Sequence, residues 1–474
     1  MTAVTADVIE NRTFDEIAVG DTASLTRTLS RQDIALFAVM SGDVNPAHVD
    51  EEYAKSDMFH TIIAHGMWGG ALISTLLGTV LPGPGTIYLG QTLRFRRPVR
   101  VGDTVTVSVT VAATDPDKGR VTLECACVNQ VGETVISGTA DVVAPTDKVK
   151  RPRVVLPTVR LHDRGARYRE LVERCRGLAP LTMAVVHPVD PEALRTVAAA
   201  AEAGLIAPIL VGPETRIRAA ADAAGVGLAA FPLSPTAHSH EAADRAVAMA
   251  HRGEVEALLR GNLLGEELLR AVCVPAAGLA TARCRSHVFL VDVPTYPRLL
   301  LVTDGALNAE PDLEAKRDIV QNVIDLARAL GVERPRVAIL AAVEKVTPHL
   351  KSTLDAAALC KMADRGQITG GVVDGPLGFD DAVSDEAAAA SRLDSPVAGR
   401  ADVIVVPDLE AGNMLVDQLQ YLAEGQAAGI VLGLRVPIVM PDRRGERWSR
   451  LAACAAALLL VRSGIGRPAP TIGR

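Results

Sequence analysis

A change in the spacing of apolar residues near position 145 divides this chain of 474 residues into two different kinds of fold. Before it, residues 91–95, 104–112, 121–128 and 134–143 alternate β-branched or apolar residues with polar ones. That is the two-residue period of an antiparallel sheet with one face buried. One helix-like apolar stretch, 66–80, lies among them and gives the sheet something to wrap, an α+β unit. After it, apolar runs at 183–186, 207–211, 288–291, 337–340, 403–406 and 438–440 alternate with helical stretches such as 191–203 and 313–330. These read as buried parallel strands in an α/β doubly wound, mostly parallel sheet. In between, Pro145 and Pro152 stand among Lys148, Lys150, Arg151 and Arg153 without periodicity, the composition of an exposed linker. The expected domains are 1–145, a linker at 146–157, and 158–474.

The chain is longer than one core usually supports, which agrees with two domains. Aromatics are only 3% of residues, so the cores must be built from Ala, Val, Leu and Ile. A net charge of −7 with no basic run excludes a nucleic-acid partner. The seven cysteines include no Cys-x-x-Cys pair, and read as reduced thiols of a cytoplasmic protein. Cys125 and Cys127 share a strand face, but as packed thiols rather than metal ligands. The start lacks a basic segment followed by an apolar core, so no secretory signal is expected. The longest apolar run, 451–461, is too short for a bilayer and reads as a buried helix, so no membrane partner is expected. Neither Gly-x-Gly-x-x-Gly nor a Walker A sequence occurs, which leaves nicotinamide and nucleotide-hydrolysing readings without a motif.

Chemistry is concentrated between Asp43 and Met67. Asp43-Val-Asn-Pro-Ala-His-Val-Asp50 is followed by Ala64-His65-Gly66-Met67 at the head of the apolar helix. Asn45 and Pro46 suit an N-cap and first helical position. Asp43 then lies just before a short helix with His48 in its first turn, so both address one water. An acid, an imidazole and a glycine-led helix start are the parts needed to move a proton beside a polarised carbonyl, as in water addition to an unsaturated thioester. The competing reading is a plain turn and helix start, for which Asp-x-Asn-Pro is common.

The same residues, with Leu81-Pro-Gly-Pro-Gly-Thr-Ile-Tyr-Leu-Gly-Gln91, Leu93-Arg-Phe95 and Pro98-Val-Arg-Val-Gly-Asp103, resemble the MaoC-like (R)-specific enoyl-CoA hydratases over 14–143. The resemblance implies a hotdog fold and a trans-2-enoyl-CoA substrate. It implies Asp43 as the base, His48 as the group returning the proton to the α-carbon, and the Gly66 N–H as donor to the enolate oxygen. Asn45 would fix the loop, Ser74 contact the dyad or line the acyl pocket, and His65 shape the helix entrance. Thioesterase activity is an alternative on this fold; the complete Asp-x-Asn-Pro-x-His pattern favours hydration.

In the second half, His187-Pro188, Ala203 to Glu214, Pro311 to Asn322, Thr353 to Leu359, Asp374-Gly-Pro376, Ser395 to Gly399 and Pro407 to Asn413 resemble the phosphate acetyl/butyryltransferases. The likeness spans 178–461 and implies acyl transfer between CoA sulfur and phosphate. Turns at Ser395, Gly399 and Asn413 would bring backbone N–H groups to anionic oxygens, with Arg443 as the cation. The chain departs from that family at Asp442, where it places a serine, and at Leu264-Gly265, where it places His-Thr. A carboxylate beside phosphate is unfavourable unless Asp442 has become the base. His238-Ser-His240-Glu241 reads as a helix cap, and 313–318 as a solvated helix face.

The expectation is therefore a bifunctional enzyme taking CoA thioesters and phosphate as substrates, with no cofactor or metal. One alternative makes the second half a CoA-binding or oligomerisation module; another makes the whole chain a non-catalytic sensor. A lone hotdog unit leaves a sheet edge exposed, so a homo-oligomer is expected.

Overall fold

The computed structural model describes residues 8–157, 159, 161–274, 278–441 and 445–466, and the chain forms two compact units, Met1–Leu161 and His162–Arg474.

In the first unit, β2 (Thr22–Thr28), β3 (Ile87–Phe95), β4 (Thr104–Asp115), β5 (Arg120–Asn129) and β6 (Thr134–Val143) form an antiparallel sheet ordered β2-β4-β5-β6-β3. The helix Gly66–Thr79 packs on its inner face. Val105, Val107, Val109 and Val111 of β4 point inward at every second position and meet Ile73, Leu76 and Leu77 of the helix. This is the expected hotdog arrangement. Gly138 of β6 sets how closely β3 can pair, because a Cβ there would lie 1.9 Å from the Thr92 carbonyl oxygen.

Two elements had no apolar period to announce them. β2 reads Thr-Ala-Ser-Leu-Thr-Arg-Thr and is held by its ladder and by threonine pairs with β4, such as Thr26–Thr106 at 3.0 Å. The helix Arg31–Ser41 buries only Ile34 and Ala38, and is started by a Ser30/Asp33 capping box.

The stretch expected as an exposed linker is in part docked. β7 (Lys150–Pro152) pairs antiparallel with β1 (Val8–Glu10). The Asn11 side chain donates to the carbonyls of Pro84 and Asp147, while Lys148 binds the Asn11 carbonyl and Glu16. The contact boundary falls after Leu161, just past the expected linker at 146–157, so that stretch goes with the first unit.

The second unit is built on β8 (Leu181–Val186), β9 (Ile206–Gly212), β10 (Leu233–Pro235), β11 (Ala257–Arg260), β12 (Ser286–Asp292), β13 (Leu300–Thr303), β14 (Arg336–Leu340), β15 (Val372–Leu377), β16 (Val403–Val405), β17 (Gln426–Leu432) and β18 (Ile438–Val439). They form one 11-stranded sheet ordered β10-β9-β8-β11-β18-β17-β12-β13-β16-β14-β15. The blocks β10-β9-β8-β11-β18 and β13-β16-β14-β15 are parallel. β17 and β12 run antiparallel to both neighbours, so the run at 288–291 is buried as expected but not parallel. Helices such as Pro191–Glu202 and Leu313–Ala329 cover the faces, and Arg447–Ser463 is the buried alanine-rich helix. The sheet is the expected mostly parallel α/β core.

The charged stretch 313–318 is not a wholly solvated face. Lys316 is 4% exposed and its Nζ donates to Asp355 Oδ2 at 2.8 Å on the helix Lys351–Asp364. His238 does cap its helix, its Nδ1 accepting from Glu241 N at 3.2 Å. Among the described residues no helix is long and apolar enough to cross a membrane.

Candidate active sites

Asn45 caps the four-residue helix Pro46–Val49, its Oδ1 accepting from Ala47 N at 3.1 Å, with Pro46 in the first turn. Asp43 lies just before it, where its Oδ1 accepts from Asn45 N at 3.2 Å. The helix turns His48 inward, and its Nδ1 lies 2.9 Å from the Ile63 carbonyl oxygen. That oxygen can only accept, so Nδ1 carries a proton, and in the neutral imidazole it is Nε2 that keeps the lone pair.

His65 precedes the helix Gly66–Thr79 and is 3% exposed. Its Nε2 donates to the Asp43 carbonyl at 3.0 Å, and its ring lies 4.0 Å from that of His48. Its Nδ1 is buried with no partner among the described residues. Asp43, His48 and His65 each bring one donor atom within 4.8 Å of the others. A water between Asp43 and His48 can therefore hydrogen-bond to both, since two such bonds span up to about 5.6 Å.

Gly66 opens the helix one residue on, at the first position, where the backbone N–H has no intrahelical acceptor; Trp68 N, two residues later, already donates to the His65 carbonyl at 3.0 Å. A Cβ at Gly66 would lie 3.0 Å from the Phe95 ring. The structure thus groups Asp43, Asn45, His48, His65 and Gly66. Ser74 is exposed and sits eight residues along the same helix, about 12 Å down its axis from Gly66.

In the second unit Asn413, from the first turns of the helix Leu409–Tyr421, lines a cavity of about 500 Å³ with Arg260, Gly265, His287, Gln420 and Met440. Ser395 and Gly399 do not line it. The Ser395 hydroxyl accepts from Val397 N and Ala398 N, and Gly399 N donates to the Asp381 carbonyl, so this turn is engaged locally. Asp442 and Arg443 lie outside the described residues. The cavity reaches Met440 and Pro441, immediately before them.

Sequence reasoning missed Arg260 and His287. Arg260 closes the apolar strand β11 and its Nη2 donates to the Pro441 carbonyl at 2.6 Å; a charge ending a buried strand is the signal that was available. His287 lies inside the apolar run of β12 and carries no motif. Burial, then the positive Arg260, hold its imidazole down to a pKa of about 3, so it is neutral in the cavity wall.

Residues 234–451 match the family model described as phosphate acetyl/butaryl transferase, and residues 17–130 match the MaoC like domain. The phosphate acetyltransferase of Rhizobium meliloti is 52% identical over 294 residues, 62% of this chain and 93% of that protein. The chain belongs to the phosphate acetyl/butaryl transferase family. In it, a MaoC-like domain is fused ahead of the family's own domain. A branched-chain phosphotransacylase from Enterococcus faecalis is 26% identical, covers 59% of this chain and 99% of its own, and superposes with a TM-score of 0.53. An R-hydratase from Pseudomonas aeruginosa is 45% identical, covers 32% of this chain and 99% of its own, with a TM-score of 0.32.

Proposed function

We propose that this chain is a bifunctional acyl-CoA enzyme. The first unit hydrates trans-2-enoyl-CoA to 3-hydroxyacyl-CoA, and the second transfers an acyl group between CoA and phosphate. The observation that carries the first half is His48, held through Nδ1 by Ile63 beside Asp43, with its ring 4.0 Å from that of His65, the residue before the helix start at Gly66.

Nε2 takes a proton from water as its oxygen adds to the β-carbon, while the Asp43 carboxylate holds the second O–H. The same nitrogen returns that proton to the α-carbon. The thioester enolate oxygen that develops between these steps faces the N–H of Gly66 and the positive end of the helix. This reading moves the base from Asp43, as expected from the resemblance, to His48, because the bond from Nδ1 to Ile63 fixes which nitrogen is free.

The membership of the second half and its strong likeness to a phosphate acetyltransferase support acyl transfer. Arg260 supplies cationic donors in the cavity, where it holds the Pro441 carbonyl. A second reading, a binding or oligomerisation module, is favoured by Leu264 and Gly265 at the cavity wall and by Asp442 in the serine position.

The purified chain should be assayed with crotonyl-CoA and, separately, with acetyl- or butyryl-CoA plus phosphate. Asp43→Asn and His48→Gln are expected to lower hydration by about two to four powers of ten and to leave acyl phosphate formation unchanged. Unaltered hydration in both variants refutes the first assignment. Absence of acyl phosphate from the wild type and from Asp442→Ser selects the module. In solution the chain is proposed to be a homo-oligomer, since edge strand β3 exposes Ile87, Tyr88, Leu89 and Phe95.

A further inference from the structure

Both imidazoles of the first site are held in the same way. His48 gives Nδ1 to the Ile63 carbonyl and His65 gives Nε2 to the Asp43 carbonyl, so in the neutral form that a metal ion binds, each has its lone pair on its other nitrogen. A metal-ligating histidine is held in this manner, its second nitrogen donating to a carbonyl or carboxylate that fixes the ring. His65 adds a buried Nδ1 with no partner among the described residues, and Asp43 adds an exposed carboxylate.

One donor atom from each of the three lies within 4.8 Å of the other two, and this is the one such group among the described residues. Ligands on a single zinc ion sit about 3.3 Å apart, given bonds of about 2.0–2.1 Å. Rotation of the Asp43 side chain and small ring movements close that difference. Two nitrogens and a carboxylate oxygen suit zinc and its first-row neighbours; magnesium and calcium take oxygen ligands instead.

We propose that Asp43, His48 and His65 form a site for one zinc-class divalent ion, and that its binding blocks hydration. The block rests on the hydratase reading: the ion takes the lone pair of the nitrogen that otherwise receives the proton of water, and displaces that water. His65 thereby gains a role as a metal ligand in addition to its place between the two loops.

The test uses the full chain, stripped with a chelator and titrated with zinc chloride by calorimetry and with cobalt by visible absorption. Crotonyl-CoA hydration is followed in parallel. The expected result is one ion per chain, bound at least tenfold more weakly by His65→Gln and by Asp43→Asn. Asp43 is exposed, so its variant keeps the test valid should His65→Gln fail to fold. The paired change His238→Gln with His240→Gln, which removes the rival surface imidazoles, should leave this ion in place. Zinc should inhibit hydration, and crotonyl-CoA should weaken zinc binding. No bound ion, or equal binding in Asp43→Asn and His65→Gln, overturns the site. A zinc-loaded chain that hydrates at the stripped chain's rate overturns the block. A stripped chain that hydrates nothing, yet binds zinc through these residues, refutes the hydratase reading while the ion site stands.

Discussion

Lys316 and Asp355 pair across two helices with only 4% and 7% of their surfaces exposed, and an N–O distance of 2.8 Å. Two charges this deep have lost their hydration, so each relies on the other. Lys316→Met leaves the Asp355 carboxylate buried and alone, and Asp355→Leu does the same to the ammonium. Each single change is expected to destabilise the second unit by about 3–5 kcal/mol. The double variant replaces both charges with apolar side chains that retain helix propensity, and should lie near wild type. The expected coupling is therefore at least about 6 kcal/mol in magnitude, far above the few tenths typical of independent sites. The chain has two tryptophans, Trp68 in the first unit and Trp448 in the second, so urea unfolding followed by Trp448 emission in a Trp68→Phe background reports the second unit alone. Losses below about 1 kcal/mol for both singles, or a double loss equal to their sum, would refute the claim that the pair is mutually dependent.

Gly138→Ala should push β3 off β6, because the new methyl meets backbone rather than a flexible side chain; a loss of about 3 kcal/mol in the first unit is expected, read from Trp68 emission in a Trp448→Phe background. His287 titrates at about 3 in the fold against an ordinary 6.5, so the unfolded chain binds its proton first as pH falls. Its contribution is nil above pH 6.5 and costs about 1.4 kcal/mol per pH unit from there down to pH 3, so His287→Asn should lose stability less steeply with acid in urea titrations. Arg260→Gln should lower acyl phosphate formation about ten- to a hundredfold by removing a charge-assisted donor, and an unchanged rate would place the phosphate elsewhere.

The parts of the fold visible in the sequence were those whose burial leaves a period. The sheet from β4 to β6 and the central helix bury alternate or clustered apolar residues, and their limits were read to within a few positions. β2 and the helix Arg31–Ser41 are held by pairing and capping, which leave no such period. β7 looked like linker because its docking runs through Asn11 and Lys148 rather than through apolar side chains. At the first site the motif carried the grouping of Asp43, His48 and Gly66, but the tautomer of His48 depends on Ile63, fifteen residues away. In the second unit, Arg260, His287 and Asn413 come from β11, β12 and a helix after β16, so only the folded sheet brings them to one cavity.

Gly305 and Gly412 cross with no side chain between them: a Cβ on Gly412 would lie 2.6 Å from the Gly305 Cα, and one on Gly305 would lie 2.8 Å from the Gly412 carbonyl carbon. Ala306 and Leu307 on one side of that crossing, and Asn413 and Val416 on the other, belong to the same cavity wall. The width of the chamber is thus governed by two hydrogens. A single added methyl at either position has no direction in which to relax except by prising the two wall segments apart. That would enlarge the chamber and withdraw Asn413 from it, reshaping the space without changing any side chain that lines it.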